Sequence, residues 1–406
     1  MKISFPYMGC VTGYKRIFEK LGHEVIMPPK PTERTFELGV KYSPEFICFP
    51  FKIMLGTYFE VIEKGAEVIV SSAGNGPCRA GYYPEIHEMI LRQEGHSVPV
   101  ISFDSIFDYP KKFFEKLKLI TNKTPVHKII GTVMFGFSII CHMEALDKKL
   151  KKLRAHETEK GAFNKAWAEI VNIFDSCNTL RDLRRARRES ENILKNIPMD
   201  TVCDGEKIKV GIVGEIYVAM ESSCNMDIEQ RLNDMGVESE NAQYISYWLK
   251  HNIVPFNTKR DKVSKLMKKA EKYSAINCGG HDKENIGAII DFAERGFDAV
   301  IHLMPFSCLP ELVTRSIIPA LSEDLRMPIL SVSMDEQTGT ANMQTRLEAF
   351  IELVISKKRA KKISDIPAPA IKETKRFPEI LQPETGSIYV NIASALENSK
   401  SMSGAK

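Results

Sequence analysis

Short apolar runs and helical spacings alternate through both ends of the chain. Lys2–Tyr7 is apolar and β-rich, and Gly13–Leu21 sets Tyr14, Ile17, Phe18 and Leu21 on one helical face. Glu24–Met27 reads as a second short strand. After the loop Pro28–Glu33 come a helical stretch, the run Glu45–Phe51 and a helix reaching Lys64. Ala66–Val70 reads as a buried strand, Pro84–Gln93 as a helix and Val98–Phe103 as another strand. Alternation at this period predicts a parallel sheet with helices on both faces. From about Val126 to Met199 the pattern changes: Pro and Gly become rare, and apolar residues recur at helical spacing between charge-dense stretches such as Lys148–Arg154. Two or three long helices are predicted there. From Lys207 the alternation returns, with strands at Val210–Val218, Ala299–Leu303 and Pro328–Val332, and helices at Met226–Met235, Pro310–Leu321 and Thr345–Ile355. The reading is an α/β protein: an α/β domain over 1–125, a helical segment over 126–205, a second α/β domain over 206–365, and a strap and tail over 366–406.

Composition narrows the function classes. The 406 residues are 43% hydrophobic and 27% charged, enough for two or three domains with buried cores. The net charge of +4 is too small to suggest a nucleic-acid coat. The basic run RDLRRARRES lacks the interleaved aromatic residues that stack on bases, so it reads as a solvated helix face. No 18 consecutive apolar residues occur and MKISFPYMGC has no apolar signal core, so neither a spanning helix nor secretion is expected. The location that follows is cytoplasmic, where the nine cysteines stay largely reduced.

Three of those cysteines share a context. Cys48 lies in SPEFICFPFK before a helix, Cys78 in AGNGPCRAGYYPE after the strand Ala66–Val70, and Cys308 in MPFSCLPE after the strand Ala299–Leu303. Each has a proline within two residues, which stiffens its loop. In an open parallel sheet the crevice beyond the carboxyl ends of the strands is where ligands bind. A thiolate there should be stabilised by the positive end of the following helix, with its pKa depressed. Three soft thiolates on one crevice suit a metal–sulfur cluster better than zinc, which favours local Cys-x-x-Cys spacing, absent here. The plain alternative is that each is a small buried hydrophobe. Cys10 and Cys224 also follow strands and are candidates for the same crevice. Cys141 sits on the central helical segment, Cys278 precedes Gly279, Gly280 and His281, and Cys177 and Cys203 read as structural.

The stretch ELGVKYSPEFICFPFKIMLGTYFEVIEKGAEVIVSSAGNGPCRAGYY, with MPFSCLPE and MDEQTGTANMQTRLEAF, resembles the 2-hydroxyacyl-CoA dehydratase component family, closest to its activase-related, double-cubane branch. The resemblance runs from Met1 to about Ile355. It implies two flavodoxin-like domains holding an iron–sulfur cluster between them, with Cys48, Cys78 and Cys308 on the family's cluster-binding cysteines. Where many relatives carry Asn and an apolar residue, this chain has Cys10 and Cys224. Six ligands, Cys10, Cys48, Cys78, Cys141, Cys224 and Cys308, would hold an [8Fe-9S] double-cubane cluster; three would hold one [4Fe-4S] cube. The resemblance further implies an iron–sulfur oxidoreductase of anaerobic metabolism, a homodimer acting on a small-molecule substrate. Its low-potential electrons would come from a separate ATP-dependent activator, itself a homodimer with a [4Fe-4S] cluster; this chain has no Walker A motif. The alternatives are a dehydratase subunit with one cube, or a non-catalytic cluster carrier. His142 and His281 are the candidate proton donors, and Arg79 the candidate hydrogen-bond donor to cluster sulfides. Asp335, Glu336, Arg346 and Glu348 read as loop and packing residues placed to help dock the activator.

Overall fold

Two four-stranded parallel sheets with the same strand order organise the chain, a computed structural model that describes residues 1–72, 77–103, 110–121, 124–200, 207–252 and 261–364. The first half runs β1 (Lys2–Ser4), α1 (Val11–Lys20), β2 (Glu24–Val25), α2 (Glu33–Tyr42), α3 (Phe49–Glu63) and β3 (Val68–Ser72). A 3-10 turn at Arg79–Tyr82 then leads into α4 (Tyr83–Gln93), β4 (Val100–Phe103) and α5 (Pro110–Thr121). Three helices follow: α6 (Val126–Arg154), α7 (Ala162–Asp175) and α8 (Leu180–Lys195). The second half opens with β5 (Lys209–Gly214), α9 (Ile216–Met220), α10 (Ile228–Asp234), β6 (Glu238–Asn241), α11 (Ile245–Asn252) and α12 (Lys262–Ala270). It closes with α13 (Asp282–Glu294), β7 (Ala299–Pro305), α14 (Leu309–Asp324), β8 (Ile329–Met334) and α15 (Thr340–Ser364).

The sheets read β2-β1-β3-β4 and β6-β5-β7-β8, with every pairing parallel. Ile3 faces Val68 in the first register and Val210 faces Ala299 in the second. Both sheets feed one apolar core: Ile69 and Phe51 pack in the same cluster as Ile212, Leu303 and Met334, with Leu347 of α15. Helices α6 to α8 have a core of their own, built on Phe135, Ile139, Phe163, Ile170, Phe174 and Leu183.

Two helices that carry site residues are seated by the same device. Any Cβ at Gly56 of α3 would fall 1.9 Å from the Thr35 carbonyl oxygen of α2, and one at Gly287 of α13 would fall 1.9 Å from that of Leu266 in α12. Only glycine lets each helix lie that close to the one before it. Each of these helices then leads into the third strand of its half, β3 or β7.

The structure departs from the sequence pattern in three places. The run Glu45–Phe51 is a loop that turns into α3, with Pro50 in its first turn, a position where the missing N–H costs nothing. The strand read over Val210–Val218 stops at Gly214, because the Glu215 carboxylate accepts the Val218 N–H at 3.0 Å and starts α9. Although no 18 consecutive apolar residues occur, α6 carries an 18-residue window of mean hydropathy 1.7 and meets the length and composition of a membrane-crossing helix. Its inner side packs on α1, α7 and α8. On the outer side Val126, Ile130, Val133 and Met134 form an exposed stripe.

Candidate functional site

Side chains near the carboxyl ends of the two sheets tie the halves together. Lys30 donates to the Ser222 hydroxyl at 2.8 Å, and the almost fully buried Lys52 ion-pairs with Glu336 at 2.5 Å. Cys48, Cys78 and Cys308 are brought to this crevice, each as the residue that caps a helical turn. Cys48 caps α3, Cys78 caps the turn Arg79–Tyr82 and Cys308 caps α14, all with extended backbone. Pro50 and Pro310 occupy the first turns of α3 and α14.

Arg79 fastens the three cysteine loops to one another. Its guanidinium donates to the Phe46 carbonyl at 3.1 Å, two residues before Cys48, and to the Ser307 carbonyl and hydroxyl immediately before Cys308. Ser307 is one of few non-glycine residues with positive φ, at 64°. A left-handed serine beside a buried thiol is a strained conformation that its surroundings must hold. The Arg79 side chain is thus committed to loop carbonyls.

The thiols lie in one another's field. Cys78 and Cys308 both sense Cys48, Glu215 and Glu311, and Tyr83 senses Cys48 and Cys78. Burial pushes the Cys308 thiol far up, and the carboxylates of Glu311 and Glu215 push it further against one backbone donor, the Glu311 N–H. Burial likewise raises Cys78. For Cys78 and Cys308 the depressed pKa expected from the helix ends is therefore overturned: desolvation outweighs a few oriented N–H groups.

From the second half come Glu311, His302 and Asn285, whose site position the sequence pattern did not disclose, and the candidate His281. Glu311 lies in the first turn of α14 and accepts from His302 Nε2 at 2.7 Å and from Asn285 Nδ2 at 2.9 and 3.0 Å; His302 Nδ1 meets the Ser331 hydroxyl at 2.9 Å. These groups are buried, and Asn285 also accepts from Gly214 N at 3.1 Å. His281 caps α13 and holds Glu284 at 2.8 Å through Nδ1; Glu284, Glu215 and Glu311 raise its pKa against the desolvation that lowers it. The packing of α14 buries Glu311 completely, and no spacing in the sequence marks it.

The other candidates are not joined to the three thiols by a described hydrogen bond. Cys10 caps α1 with its sulfur 3.2 Å from Met143 Sδ, and burial pushes its thiol up to about 12. Buried Cys224 is likewise raised, next to Glu221 and Glu215, so it borders the crevice. Tyr7 senses both Cys10 and Glu221 and links the two. Cys141 lies on α6 in the fields of Lys250, Glu144 and Lys148. Its neighbour His142 sets Nδ1 2.6 Å from the Ser138 carbonyl of its own helix. Neither is joined to the three thiols by a described contact. Cys278 is raised to about 11 by burial and by Asp282. Cys177 is buried in the turn after α7, and Cys203 lies outside the described residues. Among the described residues, no three His, Cys, Asp or Glu side chains are close enough to share a single metal ion.

What the arrangement offers chemically is a set of soft sulfur donors with a firmly placed frame. Cys48, Cys78 and Cys308 are protein-bound thiols on three separate loops, with few competing hydrogen bonds, and this donor set fits an iron–sulfur group. No curated protein matches the chain. The model of the CoA enzyme activase uncharacterised domain matches residues 3–71, which include Cys10 and Cys48. That of the 2-hydroxyglutaryl-CoA dehydratase D-component matches residues 138–354, more than half the chain, with Cys308 and its loop. The chain belongs to the 2-hydroxyglutaryl-CoA dehydratase D-component family, within the 2-hydroxyacyl-CoA dehydratase components.

Proposed function

We propose that this protein is an iron–sulfur enzyme component of the dehydratase type, with a [4Fe-4S] cluster held by Cys48, Cys78 and Cys308. The observation that carries the reading is the meeting of these three capping cysteines, from loops far apart in sequence, under the single clamp of Arg79. Bound there, the cluster would store and pass single low-potential electrons to a small molecule of the 2-hydroxyacyl-CoA kind. The protein supplies the rest. Tyr83 stands beside Cys48, packed edge-on against Phe51, Arg79 fixes the loop geometry, and the apolar core shared by the sheets takes in the buried Cys48. Electrons come from a separate ATP-dependent activator carrying its own [4Fe-4S] cluster, and the match to an activase-associated domain over residues 3–71 supports this partner. The exposed stripe Val126, Ile130, Val133 and Met134 supports pairing of two copies as a homodimer.

A second reading has its own observation. Cys10 and Cys224 sit at the ends of one electrostatic chain through Tyr7 and Glu221, which supports an [8Fe-9S] double cubane with further ligands beyond the central three. Iron and acid-labile sulfide on protein purified without oxygen decide between them: about four of each per chain for one cube, about eight and nine for the double cubane. Protein that takes up no iron and sulfide overturns both.

A further inference from the structure

Two lysines from different helices meet on one tyrosine ring. Lys148, near the end of α6, sets its Nζ 4.0 Å from the centre of the Tyr247 ring and 4.0 Å from that of Tyr244, and it donates to the Tyr247 hydroxyl. Lys262, the first residue of α12, sets its Nζ 4.6 Å from the same Tyr247 ring. The two tyrosine rings stand edge to face, 5.6 Å apart, around the start of α11.

Both lysines are half-buried, and neither has an ion-pair partner among the described residues. The carboxylates that act on them are engaged elsewhere. Asp147 holds Lys151 at 2.8 Å, Glu240 holds Arg295 at 2.8 Å and Asp291 holds Lys269 at 2.7 Å. Glu284 holds His281 at 2.8 Å, and Glu144 takes the Ser246 N–H at 3.2 Å. Burial and the charge of Lys262 push Lys148 down to about 8, and burial lowers Lys262 as well. Two like charges drawn partly out of water onto one ring cost free energy until an anion joins them. Donors for such an anion are in place. The Tyr247 hydroxyl accepts from Lys148 and so keeps its own proton to give, and the buried Tyr244 hydroxyl has no hydrogen-bond partner.

We infer that Lys148, Lys262 and Tyr247 form a binding site for a phosphate group, either free phosphate or one carried on a nucleotide-type ligand. An ammonium group is a compact point-charge partner for phosphate, and the oxygens of one phosphate can take two ammonium groups and a hydroxyl together. The site needs no cluster and stands independently of the iron–sulfur reading.

The test is isothermal titration calorimetry on the full-length protein, with inorganic phosphate, coenzyme A and coenzyme A lacking its 3′-phosphate as probes. Saturable binding of inorganic phosphate is expected in the wild type. Lys148→Gln and Lys262→Gln should each weaken it by about tenfold or more, and the double variant should lose it. Arg184→Gln with Arg188→Gln, exposed on α8, should leave it unchanged. Phosphate should raise the melting temperature of the wild type and leave that of the double lysine variant where it is, and a cooperative melt of that variant separates a lost site from a lost fold. Coenzyme A that binds more tightly than phosphate, and loses the advantage with its 3′-phosphate, assigns the group to a nucleotide-type ligand; coenzyme A that binds no better assigns it to the free anion. A wild type that binds none of the three probes overturns the inference. So does binding that survives in the double lysine variant, or that falls equally in the α8 variant.

Discussion

Arg79 reaches from the loop of Cys78 to the backbone of Ser307, the residue before Cys308, across the boundary between the two halves. One charged side chain thereby sets the distance between two site loops contributed by different sheets. Hydrogen bonds from a charged donor contribute about 1.5–3 kcal/mol each. Arg79→Met should lower stability by about that amount and release the left-handed Ser307. Arg79→Lys keeps the charge, loses the fork and should fall between. Thermal unfolding of metal-free protein, with iron content measured in parallel, checks this; equal iron loading of wild type and Arg79→Met would contradict the clamp.

Cys308→Ala should abolish binding of iron, because it removes the only central thiol supplied by the second half. Cys224→Ser should cost part of the iron under the double-cubane reading and none under the single-cube reading. Cys177→Ala, a change in the turn after α7, should leave iron unaltered. Full iron and full visible absorbance in Cys308→Ala would sink the proposed site.

The Lys52–Glu336 pair joins α3 to the loop after β8. Lys52 is almost fully buried and Glu336 about a quarter exposed, so the pair falls between the surface and interior cases. Lys52→Met should cost about 1–3 kcal/mol. A double-mutant cycle with Glu336→Gln measures the coupling, and a coupling of zero would show that the pair contributes nothing to holding the halves together.

His87 is fully buried against the rings of Phe51, Tyr58 and Tyr83, and burial lowers its pKa from 6.5 to about 3. The folded state keeps it neutral while the unfolded chain protonates it near 6.5. Its contribution is therefore complete above pH 6.5 and declines as pH falls towards about 3, by about 1.4 kcal/mol per pH unit. His87→Phe should flatten that part of the stability–pH curve. Denaturant midpoints collected across the acid range test it, and an unchanged slope would rule His87 out as the acid-sensitive group.

The homodimer proposed on the α6 stripe gives a size measurement. Val133→Glu with Met134→Glu should turn a dimer into a monomer in sedimentation velocity, with the fold unchanged by circular dichroism. Wild type that sediments as a monomer at every concentration excludes pairing through this face.

The elements seen in the sequence were those whose burial is written in apolar side chains. Strands β1, β3, β4, β7 and β8 carry such runs, and the capping cysteines announce themselves by the prolines beside them. Strand β6 does not: it is Glu-Ser-Glu-Asn, almost wholly buried, with Glu238 held by His156 at 2.9 Å. A strand that satisfies buried polar groups through partners elsewhere in the chain has no hydrophobic period to read. The same holds for the second half of the site. Glu311, His302 and Asn285 become a group only when α13, α14 and β7 are packed, so their spacing in the sequence carries no trace of it. The thiol pKa values went the wrong way for a related reason: the helix ends were visible in the sequence, and the depth of burial was not.

The halves also differ in when they exist. A ribosome finishes the loop of Cys78 about 230 residues before that of Cys308, an interval of roughly ten to fifty seconds at ordinary elongation rates. Throughout it, the emerging chain presents Cys48 and Cys78 with no Ser307 for Arg79 to hold and no β5–β8 core to cover Phe51. The first sheet is then a half-socket, open to solvent and to any passing metal. Nascent chains stalled before and after residue 308 would therefore differ in thiol accessibility at Cys48 and Cys78, and the order of synthesis would make loading of the proposed cluster a late event in the life of the chain.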